Sequence, residues 1–223
     1  DLEDGQVLVK VHYISVDPAM RGWMNDRPSY IPPVGLGSVM RALTVSKVVE
    51  SNNDDYRIGD WVVGTDGVQN YAVSDGSGYM KADTTLAPPQ TYLGTLGIAG
   101  LSAHIGLIEV GQVQAGDTVL VSGAAGSVGS HVGQIAKIKG GRAVGIAGGP
   151  EKCGYLINEL GFDAAIDYKN EDLSEGIKQT CPDGVDLFFD NIGGGTLNAG
   201  LTAINIGARV VICGAISQSN TTT

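Results

Sequence analysis

Cysteine is scarce in this chain. Cys153, Cys181 and Cys213 are odd in number and form no C-x-x-C pair. That usage argues for a reducing, cytoplasmic compartment over a disulfide framework. No stretch approaches the ~18 consecutive apolar residues of a membrane span. No basic n-region followed by an apolar h-region opens the chain. Basic residues are few, 14 Lys and Arg against 24 Asp and Glu, which gives a formal net charge of −10. Without a basic stripe, sequence-independent binding to nucleic acid and docking on an anionic membrane both lack their electrostatic footing. The first 90 residues hold no cysteine and only one histidine, His12, so the donors zinc prefers are missing there. His12, His104 and His131 are scattered and have no nucleophile-elbow partner.

What the sequence has in quantity is glycine, 34 residues in 223, without the G-X-Y period of collagen. The length allows one large domain or two small ones. Residues 1–90 read as β-rich. Val7, Val9 and Val11 alternate with Leu8 and Lys10, Thr44 to Val49 is a β-branched run, and Trp61-Val62-Val63 follows the Gly59-Asp60 turn. A small barrel or folded sheet is expected. Pro88-Pro89 marks a boundary, and residues 91–223 are expected to form a second domain. In that domain Leu101, Ile105 and Ile108 predict one apolar helix face. From Asp117 onward, strand runs (TVLVS, AVGIA, AAID, DLFFD, ARVVICG) alternate with helical patterns. Five strands with four helices between them predict right-handed βαβ units in a doubly wound parallel sheet, an α/β fold. A dinucleotide fold has six strands. A further βα step is therefore expected after Cys213, and Asp1 in place of Met makes an earlier start expected as well.

The strongest local signal is Gly123-Ala124-Ala125-Gly126-Ser127-Val128-Gly129, between a strand and a helix. A pyrophosphate needs outward backbone N–H groups there and no side chain in the way. Gly126 permits the approach, the helix N-terminus supplies partial positive charge, and Gly129 lets helix and sheet close. The spacing is GxxGxxG, not GxGxxG, and a ligand-free glycine turn is the plain alternative. At the end of the second strand, where NAD sites carry an acid, stand Ala147-Gly148-Gly149. Lys152 just beyond can reach a 2′-phosphate, which favours NADP(H). Otherwise Lys152 is a surface lysine, and Glu151 beside it is a displaced ribose ligand. Asn191 and the Cys213–Ser217 segment close the fourth and fifth strands, at the edge that faces ligand in this architecture. An Asn-initiated turn and a small packed cysteine are the alternatives there.

These motifs resemble a family. The run from GTLGIAGLSAHIG to VGQIAKIKG, then GIAGGPEK, LGFDAAIDYKNED, FFDNIGGG and VVICGAISQSN, resembles the zinc-independent medium-chain dehydrogenases/reductases. The branch is that of leukotriene B4 dehydrogenase, prostaglandin reductase and curcumin reductase. VDPAMRGWMNDRPSYIPPV fits the same branch. The resemblance implies a chaperonin-10-like β-barrel domain beside the dinucleotide-binding domain, with the active site between them. It also implies NADPH-dependent reduction of the C=C bond of an α,β-unsaturated aldehyde or ketone, by a protein that is often a homodimer. By position, Gly126, Ser127, Val128 and Gly129 would hold the pyrophosphate, and Lys152 the 2′-phosphate. Tyr168 would line the adenosine phosphate end. Asn191, Cys213, Gly214, Ala215, Ile216 and Ser217 would border the nicotinamide half. Two positions depart from the family: Ser219 and Ala19 stand where tyrosines are usual. The donor to the developing enolate would then be a coenzyme ribose hydroxyl or a tyrosine such as Tyr71 or Tyr30, and no catalytic residue is assigned. His104 also replaces a commonly aromatic position. A quinone oxidoreductase, or a coenzyme-binding protein without catalysis, is the alternative.

Overall fold

The computed structural model describes residues 1–26 and 29–219. They fall into two compact units, Asp1–Gly97 and a second that starts at Ile98.

The first unit holds strands β1 (Val7–Ile14), β2 (Thr44–Ser51), β3 (Trp61–Gly64), β4 (Tyr71–Ser74) and β5 (Met80–Lys81), with one short helix, α1 (Ala19–Trp23). The strands pair antiparallel in the order β4-β1-β2-β3-β5. The period-two pattern decides which side is covered. Val7 and Val9 are fully buried against Val48 and Val62, while Lys10 is exposed. A second cluster forms around Val45, Ala82 and Tyr92, and the 3-10 turn Pro89–Leu93 carries Tyr92 into it. Asp66 gathers the hydroxyl groups of Thr44, Ser46 and Tyr79 and so cross-links β2 to the loops beside it.

The second unit is a five-stranded parallel sheet of β6 (Thr118–Ser122), β7 (Arg142–Ala147), β8 (Ala164–Asp167), β9 (Val185–Asp190) and β10 (Ile204–Ile212). Helix α2 (Ile98–His104) precedes it. Helices α3 (Ser127–Ile138), α4 (Pro150–Asn158), α5 (Leu173–Thr180) and α6 (Gly194–Leu201) lie between successive strands. The strand order is β10-β9-β6-β7-β8. The chain runs outward from β6 through β7 to β8, then returns past β6 to β9 and β10, so the order reverses between β6 and β9. Both faces of the sheet are covered. Val119 and Val121 of β6 point into one apolar cluster with Val132, Ala136, Leu156 and Phe189. Leu120 points into the other with Ile146, Ile166, Ile177 and Phe188. This is why β6 reads as an unbroken apolar run and not as an alternation.

Two expectations change. Leu101 and Ile105 are exposed, and the buried stripe of this segment is Ala99, Ala103, Gly106 and Leu107. The reason is close packing: a Cβ on Gly106 would stand 2.6 Å from the Phe189 ring, so the small-residue face lies inward. After α2 the winding widens into a π-type turn over Ile105–Val110. Strand β10 also starts four residues before the ARVVICG run, with an irregularity in its pairing between Ile204 and Arg209 at Gly207, where φ is +84°.

Candidate coenzyme site

The carboxyl ends of β6 and β9 meet where the strand order reverses, the position at which ligands bind in open parallel sheets. Gly123 leaves β6 at φ +58° and lies against the turn after β9. A Cβ there would stand 3.1 Å from Ile192 and 3.5 Å from Asn191. Gly126 then caps α3 in extended backbone without any side-chain cap. The first-turn amides of Ser127, Val128 and Gly129 consequently have no intrahelical acceptor. Gly129 is what brings that turn in close, because a Cβ on it would meet the Gly123 carbonyl oxygen at 2.4 Å. Bare amides, a dipole end and a missing side chain together make an anion cradle.

Below the cradle, β6 and β9 are tied by buried polar groups. Ser122 Oγ donates to Asp190 Oδ1 at 2.5 Å and accepts the Asn191 N–H at 2.8 Å. Asp190, fully buried, also accepts the N–H of Ile192 and of Gly193. Asn191 Nδ2 donates to the Ser122 carbonyl at 2.8 Å, which fixes the side chain and leaves Oδ1 as its remaining acceptor. The Cys213–Ser217 segment is stapled to the same turn. Cys213 N–H donates to the Asp190 carbonyl at 2.8 Å, and Ser217 Oγ donates to the Ile192 carbonyl at 2.6 Å. Asn191 and residues 213–217 therefore come together at one edge. Cys213 is exposed as a residue, but partial desolvation of its thiol, and then the charge of Asp190, push that thiol above its ordinary value, so it is held neutral.

At the end of β7, Gly149 begins α4 at φ +98°. Lys152 is exposed in the first turn of that helix, and Glu151 is exposed beside it. Tyr168, directly after β8, donates its N–H to the Ala147 carbonyl at 3.2 Å. A Cβ on Gly148 would stand 2.9 Å from the Tyr168 ring, so the ring lies over that glycine. Lys152 and Tyr168 thus flank one glycine turn. Sequence reasoning passed over Ser122, Asp190 and Asp167, the residues that hold these loops. A serine ending a wholly apolar strand, and an Asp directly before Asn191, were the available signals.

The proposed tyrosine donors lie in the first unit. Tyr30 is 83% exposed and its hydroxyl accepts from Trp23 Nε1, while Tyr71 is 52% exposed on β4. Ser219 Oγ donates to the Ile216 carbonyl. Asn220, which closes the quoted VVICGAISQSN motif, lies outside the described residues, as do Arg27 and Pro28 of the VDPAMRGWMNDRPSYIPPV motif.

Comparison with known proteins places these features in context. A family described as the N-terminal domain of oxidoreductase matches residues 1–82, and one described as zinc-binding dehydrogenase matches residues 127–223. Among the described residues, no three His, Cys, Asp or Glu side chains form a group that could hold a metal ion. The NADPH-dependent curcumin reductase of Escherichia coli (strain K12) is 46% identical over 219 residues, 98% of this chain and 64% of the relative. Prostaglandin reductase 1 of Mus musculus is 42% identical over 225 residues, 99% of this chain and 66% of the relative. The crystal structure of CurA in complex with NADPH from Vibrio vulnificus superposes with a TM-score of 0.94 at 43% identity, over 99% of this chain and 66% of that one. The chain thus spans somewhat less than two thirds of the curcumin reductase it matches. With both units matched in order and identity above 40% along nearly all its length, the chain belongs to the medium-chain dehydrogenase/reductase family, in the branch of the curcumin and prostaglandin reductases.

Proposed function

We propose that this chain belongs to an enzyme that reduces the C=C bond of α,β-unsaturated aldehydes or ketones with NADPH, without zinc, in the cytoplasm. The observation that carries the reading is the pairing of an anion cradle at the start of α3 with an acid-free glycine turn after β7, flanked by Lys152 and Tyr168. The names of the relatives, an NADPH-dependent curcumin reductase and prostaglandin reductase 1, support the same chemistry. Three free cysteines support a reducing compartment. The resemblance supports a homodimer.

NADPH, when bound, supplies the hydride that adds to the β-carbon of the enone. The chain's residues bind and orient it. The amides of Ser127, Val128 and Gly129 take the pyrophosphate, and the Lys152 ammonium takes the 2′-phosphate as a point charge. Tyr168 lines the adenosine end. Asn191 and the turn from Cys213 through Gly214, Ala215 and Ile216 to Ser217 border the nicotinamide half. Cys213 is exposed at this edge, contrary to the expectation of a packed cysteine, and its thiol is held neutral, so it does not serve as a nucleophile.

NADPH consumption is measured with a 2-alkenal, a curcumin-like dienone and a benzoquinone. Enone-dependent oxidation that yields the saturated ketone is expected. Turnover of the quinone alone would move the assignment to quinone reduction, and tight NADPH binding without oxidation of any partner would leave a silent coenzyme-binding protein.

A further inference from the structure

The turn that joins β7 to α4 is held by a residue from a third element. Asp167 ends β8, in register with Ala147 at the end of β7. Its Oδ1 accepts the Gly149 N–H at 2.7 Å and the Lys169 N–H at 3.1 Å, and its Oδ2 accepts Asn170 Nδ2 at 2.7 Å. Gly149 needs such an anchor. It stands at φ +98° and starts α4 with no side-chain cap. The residue after Asp167 is Tyr168, whose ring covers Gly148. One carboxylate therefore fixes the turn directly, and through the backbone it fixes the ring that lies on it.

The chemistry of the two coenzymes separates at this point. A ribose diol donates hydrogen bonds and needs a carboxylate with free lone pairs. Asp167 lies one strand away from the tip where that acid usually stands, and three N–H donors already take most of the roughly four acceptor sites of its two oxygens. A phosphomonoester only accepts, and it needs cations and donors. Lys152, in the first turn of α4, and Lys169, in the turn after β8, are both exposed.

We propose that Asp167 is a positioning residue for coenzyme choice: by holding the Gly149 amide it shapes the turn and seats Tyr168, and so selects a 2′-phosphate over a free ribose, without touching the coenzyme. The inference rests on the dinucleotide reading above and adds to it the residue that sets its specificity. The Asn170 amide, and then the Gly149 N–H, hold the Asp167 carboxyl below the ordinary carboxylate range, so the anchor is ionised at neutral pH.

Calorimetric titration of the chain with NADPH and with NADH tests this. Asp167→Asn keeps one acceptor oxygen for Gly149, whereas Asp167→Glu keeps the charge but carries it one methylene too far. The expected result is that Asp167→Asn retains the preference for NADPH. Asp167→Glu should lose about tenfold of it, because the acceptor for the Gly149 N–H is misplaced, with NADH affinity little changed. The opposite order, or retention of the preference by both variants, would overturn the inference. Lys152→Ala is the control. A wild-type chain that binds neither coenzyme, or a Lys152→Ala variant with undiminished preference, would instead overturn the reading on which the inference rests. An unfolding artefact is excluded by the same titrations, because general loosening weakens both coenzymes equally.

Discussion

At the scale of single residues, the site depends on absent side chains as much as on present ones. Gly129 shows this most sharply. In the sequence it is the last glycine of a loose GxxGxxG pattern. In the structure it is the atom-sized gap that lets the first turn of α3 touch the Gly123 carbonyl, 2.4 Å from where a Cβ would stand. Gly129→Ala is expected to cost about 1–3 kcal/mol, the range for overpacking a tight contact. It should also weaken NADPH binding, since it pushes the first-turn amides off the cradle. Urea denaturation and coenzyme titration read the two effects separately. Gly148 was equally visible as a glycine, but the ring above it was not. Only the fold brings Tyr168, twenty positions later in the chain, over that backbone.

At the scale of elements, the polar tie between β6 and β9 organises the crevice. Ser122 donates to a fully buried Asp190 and receives the Asn191 amide in return. Ser122→Ala would leave the Asn191 N–H without its acceptor and remove one donor from Asp190, at a cost of about 1–3 kcal/mol for buried groups left unpaired. Thermal melts of the free chain should show the loss. Hydrogen exchange at Asn191 and Gly193 should quicken more than exchange in α5, which lies away from the tie. The elements themselves were largely legible. The TVLVS run is β6 and the LSEGIKQT run is α5, because a buried parallel strand and an amphipathic helix each write their period into the sequence. The segment after Pro89 was misread for a physical reason. Periodicity locates apolar residues, but here the segment buries Ala99, Ala103 and Gly106 together with Leu107. Close approach to Phe189 mattered more than apolar area, and Leu101 was left in solvent.

At the scale of the whole molecule, each unit carries apolar clusters of its own: Val7, Val9, Val48 and Val62 in the first, and the two clusters on either face of the parallel sheet in the second. Separate cores predict separate cooperative transitions in calorimetry. If the cradle of α3 binds the coenzyme, NADPH at about 100 times its Kd should stabilise the second unit by roughly 2.7 kcal/mol and leave the melting of β1–β5 where it was. A single transition that shifts as one would contradict this. With an acidic balance and a sequence pI of about 4.6, the chain should also scatter light most strongly when titrated to that pH, where its net charge vanishes.

The sequence by itself determined the kind of fold, the alternation of strands and helices in the second unit, and the glycine turn between β6 and α3. Those are properties of periodicity and backbone freedom, which neighbouring residues set locally. Only the tertiary structure decided which groups hold that turn in place. Asp167, Ser122 and Asp190 act on loops that start from other strands, and contacts across a sheet leave no trace in the spacing of residues along the chain.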